Sequence, residues 1–331
     1  MSPSEKEPRD KSQAAFSDLR VFRIFQHAPD EQLAKLAAFA SEVAVARDQV
    51  IYPEGEFGED FFVVLAGTVE DFCTTLGGRQ AVGRVRVGQV FGETSFLDSR
   101  PRPTTAVATD QGALLRFDSQ GVKEALHTNH ELGAALARSF WHSLAAKIRQ
   151  ADQFMAGIGP VENAPPRGKT LQGQRVEIKP GAKVDLFQET GLSAAELRLL
   201  AVTLQGRKFE PDAYIFHEGE LGDALYVVFD GAVRISHQIG GRGEEPITVL
   251  GRGEVFGEMA LVDDQPRSAD ARAHGDGCTV LVLSQNDLDA VLHMPPAAAS
   301  QFLYLVCGVL CHRLRTVITL LDSLRTNSDR R

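Results

Sequence analysis

One stretch of sequence occurs twice in the chain. Residues 51–70 read IYPEGEFGEDFFVVLAGTVE, and residues 215–234 read IFHEGELGDALYVVFDGAVR. Three glycines recur at a constant offset of 164 residues: Gly55, Gly58 and Gly67 return as Gly219, Gly222 and Gly231. In both copies an apolar run separates the second glycine from the third. A repeat with so long a period indicates two duplicated domains and not a solenoid, because solenoid units are much shorter.

Short strand signals fill each copy. Apolar runs rich in β-branched and aromatic residues are bounded by Gly, Pro or Asp. They are QVIYPEG (49–55), FFVVLAG (61–67), TVEDFCT (68–74) and ALLRFD (113–118) in the first copy, and YIFHEG (214–219), LYVVFDG (225–231), AVRISHQ (232–238) and CTVLVLS (278–284) in the second. Several short strands at this spacing predict an antiparallel barrel or jelly roll.

Helical patterns flank each predicted roll. EQLAKLAAFA (31–40) precedes the first, and Ser193 with Glu196 forms a capping box before the second. LGAALARSFWHSLAAKIRQ (132–150) and QFLYLVCGVLCHRLRTVITLLDSL (301–324) follow the rolls. The predicted fold class is therefore mainly β with flanking helices, in the form of two tandem β-rolls of the double-stranded jelly-roll type.

The composition between and outside the copies sets the predicted domain bounds. The segment 157–183 is rich in Gly, Pro and charge and has no apolar period, which predicts a linker. The first fifteen residues are polar and predict disorder. The predicted parts are a disordered N-terminus at 1–15, a first domain at 16–152, a linker at 153–183, a second domain with a long C-terminal helix at 184–325, and a tail at 326–331.

The overall composition is typical of a soluble globular protein, with 331 residues, 43% hydrophobic, and a net charge of −9. Two domains of ordinary size each bury a core of their own. We expect a cytoplasmic protein without a membrane partner, because the N-terminus is polar and no stretch stands out as a span of about 20 apolar residues. The acidic charge argues against broad nucleic-acid binding, and four scattered cysteines predict reduced thiols.

The segment that closes each repeated block carries the chemistry. Residues 91–102 read FGETSFLDSRPR and residues 256–267 read FGEMALVDDQPR, so both copies place a Glu nine residues before an Arg that directly follows a Pro. The glycine permits close approach of a ligand, and the free N–H groups of a following helical turn favour an anion. The Arg can hold a phosphate by paired hydrogen bonds, while the Glu accepts one from a sugar hydroxyl. The pattern fits a ribose that bears a single phosphate.

This motif, F-G-E-x-[AS]-[LF] with a later P-R, is similar to the phosphate-binding cassette of cyclic nucleotide-binding domains. The chain resembles the regulatory subunit of cyclic-AMP-dependent protein kinase and the ligand-binding domain of the bacterial catabolite activator family. The resemblance implies that Glu258 binds the ribose 2′-hydroxyl, that Arg267 binds the cyclic phosphate, and that backbone N–H groups complete the cradle. It places the second site at Phe256, Gly257, Glu258, Met259, Ala260, Arg267, Ser268 and Ala269.

The matching first site departs from the family pattern at one position. Its residues are Gly92, Glu93, Thr94, Ser95, Arg102 and Thr104. Pro103 stands where the family has Ala, Ser or Thr, and proline has no N–H to donate to the phosphate. The missing bond costs about 1 kcal/mol or more. We therefore expect the first site to be weaker or altered, with Arg100 as a candidate for compensation.

The last predicted helix carries an apolar seam at heptad spacing. Its members are Leu303, Cys307, Leu310, Leu314, Val317, Leu321 and Leu324. Two arrangements remain open: a homodimer through residues 301–324, or a helix that packs on its own roll. The residue that caps the base of the nucleotide is expected from the same region, with Phe302, Tyr304, Arg313 and Thr316 as candidates.

The remaining features point away from catalysis. The nine histidines include no His-x-His pair, and neither copy shows a nucleophile with its base or a P-loop, so we expect no enzyme, cofactor or metal site. Residues 1–20 hold only isolated basic residues such as Arg9 and Lys11, so a kinase-inhibitor segment is not expected, and neither is a DNA-binding module after Leu324. We predict a tandem sensor of cAMP or cGMP that relays binding to an unknown effector protein by helix or domain rearrangement. The alternatives are an interaction scaffold whose rolls bind no nucleotide, and a protein that resembles a kinase regulatory subunit.

Overall fold

A computed structural model of the chain describes residues 17, 19–22, 25–26, 28–75, 78–156, 168–187, 201, 203–239 and 243–328. The chain divides into two compact units, Met1–Ser143 with Asp322–Arg331 and Leu144–Leu321. The division falls ahead of residue 152, where the sequence predicts the end of the first domain. The predicted disordered N-terminus and the predicted capping box of Ser193 and Glu196 lie outside the described residues.

The first roll consists of two four-stranded antiparallel sheets. Its strands are β1 (Ala40–Val45), β2 (Val50–Tyr52), β3 (Phe61–Ala66), β4 (Val69–Thr75), β5 (Gly78–Val85), β6 (Val90–Phe91), β7 (Thr105–Ala108) and β8 (Gly112–Phe117). The strand orders are β1-β8-β3-β6 and β2-β7-β4-β5. All eight strands contribute to one buried cluster: Val45, Tyr52, Phe62, Val64, Val69, Val85, Phe91, Ala106, Ala108 and Leu114. The core therefore lies between the inner faces of the two sheets.

The second roll has longer strands that form one connected sheet. They are β9 (Gln174–Val176), β10 (Gln205–Phe209), β11 (Tyr214–Phe216), β12 (Ala224–Ile239), β13 (Gly243–Leu250), β14 (Val255–Phe256) and β15 (Asp270–Ser284). Strand β12 joins two predicted strands, and its pairing with β15 shifts register around Gly231. Such bulges bend a strand and raise its twist. Gly231 has a φ of 76°, and a Cβ there would lie 2.3 Å from the carbonyl oxygen of Gly277, so this corner requires glycine.

Helices precede, interrupt and follow the rolls. They are α1 (Asp30–Ala37), α2 (Glu93–Asp98), α3 (Ser119–Thr128), α4 (His130–Ala156), α5 (Pro180–Leu186), α6 (Met259–Asp263), α7 (Gln285–Leu292) and α8 (Pro296–Ser328). The helices predicted at 132–150 and 301–324 lie within α4 and α8. The predicted fold class, two tandem β-rolls with flanking helices, is confirmed.

The predicted linker contains regular structure. Residues 157–167 lie outside the described part, but β9 pairs antiparallel with β10, and α5 follows it. Lys183 of α5 is 8% exposed, and its ammonium group donates to the carbonyl oxygens of Ala201 at 2.8 Å and Leu204 at 2.5 Å. The prediction of a linker was wrong for these two elements. A strand of three residues and a helix of seven are too short to show a hydrophobic period.

The C-terminal helix buries its apolar seam inside the chain. Leu303, Cys307, Leu310, Leu314 and Val317 are each at most 5% exposed. The side chains of the last two seam residues lie outside the described part. Of the two arrangements open from the sequence, the structure has the helix that packs on its own chain, and the described seam is not free to meet a second copy in this conformation.

The same helix also corrects an expectation about membranes. By length and composition alone, the Pro296–Thr319 part of α8 is long and apolar enough to cross a bilayer, so the expectation that no stretch reaches this threshold was wrong. Half of that apolar window is buried inside the structure. The core helix of a folded domain passes the same test, so this single segment is weak support for a span.

Candidate functional site

In both rolls the backbone ties the cassette arginine to the glycine loop. The N–H of Gly55 donates to the carbonyl oxygen of Arg102 at 3.0 Å, and the N–H of Arg102 donates to that of Glu56 at 2.9 Å. The second roll repeats both bonds, at 2.9 and 2.8 Å, between Arg267 and the loop that begins at Gly219. The duplicated glycines of the sequence therefore fix where each arginine leaves the backbone.

A left-handed glycine precedes each short cassette helix. Gly92 has a φ of 81° and Gly257 a φ of 78°. A Cβ on Gly257 would lie 2.7 Å from Nη1 of Arg267. Glycine thus supplies both the backbone conformation and the room for the guanidinium group to approach.

Arg267 is buried, and its guanidinium group lies over two aromatic rings. Its Nη1 donates to the carbonyl oxygen of Gly257 at 2.6 Å, and its guanidinium carbon lies 4.3 Å from the ring centroid of Phe216 and 5.6 Å from that of Tyr226. Its Nε is buried and finds no acceptor in the described part of the chain. Burial lowers the pKa of Arg267, but a guanidinium group stays protonated at neutral pH. A buried cation with an unused donor suits an anionic ligand.

Glu258 is fully buried next to this cation. Its relative exposure is 0%, and neither carboxylate oxygen accepts a hydrogen bond from any other described residue. Nη1 of Arg313, in α8, lies 3.6 Å from Oε1, a distance too long for a hydrogen bond. Burial raises the pKa of Glu258, while Arg313, the backbone N–H of Glu258 itself and Arg267 act to lower it. A buried carboxylate with unfilled acceptor positions suits a ligand hydroxyl.

A cavity of about 390 Å³ lies between the second roll and α8, and this volume is within the range of small-molecule sites. It is largely apolar and is lined mainly by β12, β13, the turn before β14, and α8. Ile235 and Arg313 line both this cavity and the recess that contains Arg267. The recess itself holds only about 10 Å³, room for about one water molecule, so a phosphate does not fit there unless lining side chains move.

The other predicted residues of the second site gather around this recess. Ser268 Oγ lies 3.4 Å from Nη2 of Arg313 and 3.8 Å from Sδ of Met259. Met259, Ala260 and Ala269 are buried and line the recess, as Gly257 does, while Phe256 is buried in β14. Three of the four base-capping candidates, Tyr304, Arg313 and Thr316, line the cavity, whereas Phe302 lines a separate apolar pocket.

In the first site the glutamate has a hydrogen-bonding neighbour. Glu93 is fully buried, and Oγ of Ser143, in α4, lies 2.9 Å from its Oε1 and 3.0 Å from the carbonyl oxygen of Val90. The hydroxyl carries one proton and so donates to one of these two acceptors at a time. The carboxylate of Glu93 therefore already has a hydrogen-bonding partner within the chain.

The first-site arginine is held by two carbonyl groups. Arg102 donates from Nη1 to Gly92 at 2.9 Å and from Nη2 to Asp60 at 2.7 Å, and its guanidinium carbon lies 4.2 Å from the ring centroid of Tyr52. Thr94, Ser95 and Thr104 are buried nearby along the cassette, with Thr104 Oγ1 3.4 Å from Oδ1 of Asp71. Arg100 is exposed.

Sequence reasoning missed two of these contacts. The cassette motif contains neither Ser143 nor the pairing of Arg313 with Glu258, because both partners come from helices about fifty residues away along the chain. No sequence signal distinguishes Ser143 and Arg313 from the other polar residues of α4 and α8.

Comparison with known proteins shows that the chain belongs to the cyclic nucleotide-binding domain family. The family matches residues 42–129 and 206–294, which together are more than half of the chain. Each matched segment contains a glycine loop and the cassette from its glycine to its arginine. The first segment includes Gly92 to Arg102, and the second includes Gly257 to Arg267.

Individual relatives cover different parts of the chain. A cAMP-dependent protein kinase regulatory subunit of Mucor circinelloides f. lusitanicus is 24% identical over 252 residues, 76% of this chain and 48% of that protein. The cyclic AMP receptor protein of Thermus thermophilus is 37% identical over 134 residues, 40% of this chain and 60% of that protein. The chain therefore spans about half the length of the curated regulatory subunits that it matches.

Two solved structures are similar to the chain at low sequence identity and low TM-score. The regulatory domain of Toxoplasma gondii PKA with cAMP is 21% identical, with 90% of this chain and 96% of that chain covered and a TM-score of 0.35. A cyclic nucleotide-binding domain from Methylobacillus flagellatus is 27% identical over 42% of this chain and 79% of that chain, with a TM-score of 0.39.

Proposed function

We propose that this chain is a non-catalytic sensor of a cyclic nucleotide, cAMP or cGMP, and that its second roll carries the stronger site. The observation that carries the proposal is the buried carboxylate of Glu258, whose oxygens no other described residue satisfies. Its Oε1 lies 3.6 Å from Nη1 of Arg313, a side chain that lines both the recess of Arg267 and the apolar cavity of about 390 Å³. An acceptor for the sugar hydroxyl, a cation for the phosphate and an apolar space for the base are the three parts that such a ligand needs.

The narrow recess suggests how binding becomes a signal. Arg313 lies 3.6 Å from Glu258 Oε1 and 3.4 Å from Ser268 Oγ, so this side chain of α8 fills part of the recess. A phosphate that enters displaces this side chain, and the position of α8 changes with it. A ligand shifts such an equilibrium only by its differential affinity for the two states. The helix α8 is therefore the element that reports ligand occupancy.

Three features of the first roll favour a weaker site there. Pro103 lacks the N–H that the phosphate needs. Ser143 lies within hydrogen-bond distance of Glu93, and Arg102 already donates to two carbonyl groups. A ligand must displace these bonds before it gains its own, so we propose that the first site binds with lower affinity.

The names of the relatives support a regulatory role. They include regulatory subunits of cAMP-dependent protein kinase and a cyclic AMP receptor protein. This chain spans about half the length of those kinase subunits, so we propose only the class of the effector, a protein kinase. We propose that it binds this chain in the cytoplasm, at the surface that becomes exposed when α8 moves. This effector is a proposal separate from the ligand.

One observation favours the alternative of an interaction scaffold that binds no nucleotide. The recess beside Arg267 has space for little more than one water molecule. If Arg313 does not leave it, the rolls act only as interaction surfaces. The sensor and the scaffold differ in one measurable property: only the sensor releases or absorbs heat when a cyclic nucleotide is added.

Titration calorimetry of the full chain with cAMP, cGMP and linear 5′-AMP separates these functions. We expect binding heat from a cyclic nucleotide, less or none from 5′-AMP, and loss of the tighter event in Arg267→Ala but not in Arg102→Ala. Absence of heat from every ligand at millimolar concentration contradicts the sensor and supports the scaffold. Equal losses from the two arginine variants contradict the asymmetry of the sites.

A further inference from the structure

One arginine of helix α4 reaches the second cassette. Arg149 donates from Nε to Oδ2 of Asp263 at 2.5 Å and from Nη2 to Oδ1 at 2.9 Å. Its Nη1 also donates to the carbonyl oxygen of Pro266 at 2.7 Å, and Nη2 lies 3.5 Å from that of Gln265. The two charged side chains are 17% and 15% exposed. A bidentate pair of this kind fixes both the distance and the plane of its partners.

These acceptors occupy the turn between the cassette helix and its arginine. Helix α6 ends at Asp263, whose Oδ1 also accepts from the N–H of Gln265 at 3.1 Å. Pro266 directly precedes Arg267, whose N–H donates to the carbonyl oxygen of Glu220 at 2.8 Å. The peptide group that joins Pro266 to Arg267 is therefore held at its oxygen by Arg149 and at its nitrogen by the glycine loop.

The first copy contains the same turn and the same local hydrogen bond to its aspartate. There Asp98 Oδ1 accepts from the N–H of Arg100 at 3.1 Å, as Asp263 does from Gln265 in the second copy. This local bond explains an aspartate at the end of both cassette helices. It does not explain why Arg149 of α4 binds the aspartate of the second copy, Asp263. Arg149 is not part of the cassette motif.

The charge of Arg149 also reaches the sugar-binding position. After Arg313 and Arg267, it is a third cation that lowers the pKa of Glu258, against the effect of burial. Arg149 therefore acts on two residues of the second site. It positions Arg267 through the turn, and its positive charge lowers the pKa of Glu258.

We infer that Arg149 is a positioning residue of the second cyclic nucleotide site, which holds Arg267 in place through Asp263 and the carbonyl group of Pro266. The effect on ligand affinity rests on the function proposed above, whereas the effect on the turn does not. Residue 149 belongs to the first domain by sequence, but the structure places it in the compact unit Leu144–Leu321. The affinity of the second site thus depends on where α4 lies, and ligand and α4 influence each other by the same free energy.

The effect on the turn is measured first, by hydrogen exchange of the ligand-free full chain. Arg149→Met keeps a long side chain but removes the charge and the hydrogen-bond donors. The control is Lys147→Ala, which removes one positive charge from the same helix. We expect faster exchange at the amides of Gln265 and Arg267 in Arg149→Met, with Lys147→Ala like the parent protein. Unchanged exchange in Arg149→Met overturns the inference, whether or not any ligand binds.

The effect on affinity is measured with the first site silenced by Arg102→Ala. In that background we expect Arg149→Met and Asp263→Asn each to weaken cyclic nucleotide binding about tenfold, mainly through faster dissociation, and the double variant to lose no more than either single one. Restoration of affinity by the exchange Arg149→Asp with Asp263→Arg supports positioning through this pair.

Two outcomes of that titration separate the proposals. Wild-type affinity in Arg149→Met, or losses that add in the double variant, overturns the positioning role while the proposed function stands. If the Arg102→Ala parent gives no heat with cAMP or cGMP, the proposed function of the second site fails, and the exchange rates alone then decide whether Arg149 holds the turn.

Discussion

At the scale of single residues, Glu258 and Glu93 occupy equivalent positions in different surroundings. Both are fully buried, but Ser143 lies within hydrogen-bond distance of Glu93, while the oxygens of Glu258 accept no hydrogen bond from any other described residue. Burial raises the pKa of Glu258. A group whose native pKa lies above its unfolded value destabilises the fold as pH rises past the unfolded value. The ligand-free protein therefore carries an unfavourable charge that ligand binding relieves.

The first prediction removes this charge. Glu258→Gln should stabilise the ligand-free protein at pH 8, by on the order of 1 kcal/mol, and should abolish the rise in melting temperature that cyclic nucleotide causes. The gain over wild type should shrink as the pH falls, because the raised pKa lets the native carboxyl group take up its proton before the unfolded one does. Thermal melts at both pH values measure this. The matched control, Glu93→Gln, should show no gain, and a less stable Glu258→Gln protein at pH 8 contradicts the argument.

The second prediction uses the repeat as its own control. A Cβ on Gly222 would lie 2.6 Å from Cζ and Nε of Arg267, whereas on the equivalent Gly58 the nearest atoms are Oε1 of Glu56 at 3.4 Å and Nη2 of Arg102 at 3.5 Å. Gly222→Ala should therefore weaken the tighter binding event by about tenfold or more, because Arg267 must move. Gly58→Ala should bind nearly as the wild type does. Calorimetry that ranks the two variants in the opposite order contradicts the arrangement of the second site.

The sequence predicts some site residues well and others not at all, for a physical reason. The glycine, glutamate and arginine of each cassette lie within twelve consecutive residues, so their chemistry can be recognised from spacing. Ser143, Arg149 and the pairing of Arg313 depend on how helices pack, and no local pattern encodes those contacts.

At the scale of elements, helix α8 both completes the second roll and closes its recess. Its apolar seam is buried, and Arg313 is the charged side chain that it brings to Glu258 and Ser268. Because a buried carboxylate without its cation is costly, the helix and the site are energetically linked.

The third prediction concerns that link. Arg313→Met should lower the free energy of unfolding by about 1–3 kcal/mol, since Glu258 then lacks its nearest positive charge. In a Glu258→Gln background the same substitution should cost much less. Urea denaturation of the four proteins measures the coupling. Equal losses in both backgrounds would show that Arg313 stabilises α8 for reasons unrelated to Glu258.

The fourth prediction repairs the first cassette. Pro103→Ser supplies the missing N–H, and in an Arg267→Ala background, where the second site is silent, it should tighten the remaining binding event about fivefold. A calorimetric titration measures the change. If affinity stays the same, the proline is not what weakens the first site, and the contact of Ser143 with Glu93 becomes the main cause.

Elements differ in how far the sequence can predict them. Strands β3 and β8 are runs of apolar residues and stand out from their neighbours. Strand β1 buries only one of its six residues, and strand β9 has three residues, so neither carries a clear hydrophobic signal. Both exist because a neighbouring strand pairs with them, β8 with β1 and β10 with β9. Pairing of this kind depends on tertiary structure.

At the scale of the whole molecule, the duplicated sequence gives two rolls whose sites are unequal. The repeat and the cassettes were enough to predict two domains of this family, which the comparisons confirm. The unequal environments of Glu93 and Glu258 come from α4 and α8, which lie outside the matched segments. A thermal shift equivalent to about 2.7 kcal/mol at a hundredfold excess of ligand over the dissociation constant is expected from the tighter site.

The central claim is that the carboxylate of Glu258 receives the ribose 2′-hydroxyl while Arg267 holds the cyclic phosphate. Affinities of cAMP and 2′-deoxy-cAMP for the Arg102→Ala protein, with and without Glu258→Gln, test it most directly. The account predicts that removal of the hydroxyl weakens binding about tenfold or more when Glu258 is present and hardly at all when it is replaced. The same penalty for the deoxy ligand in both proteins would contradict it.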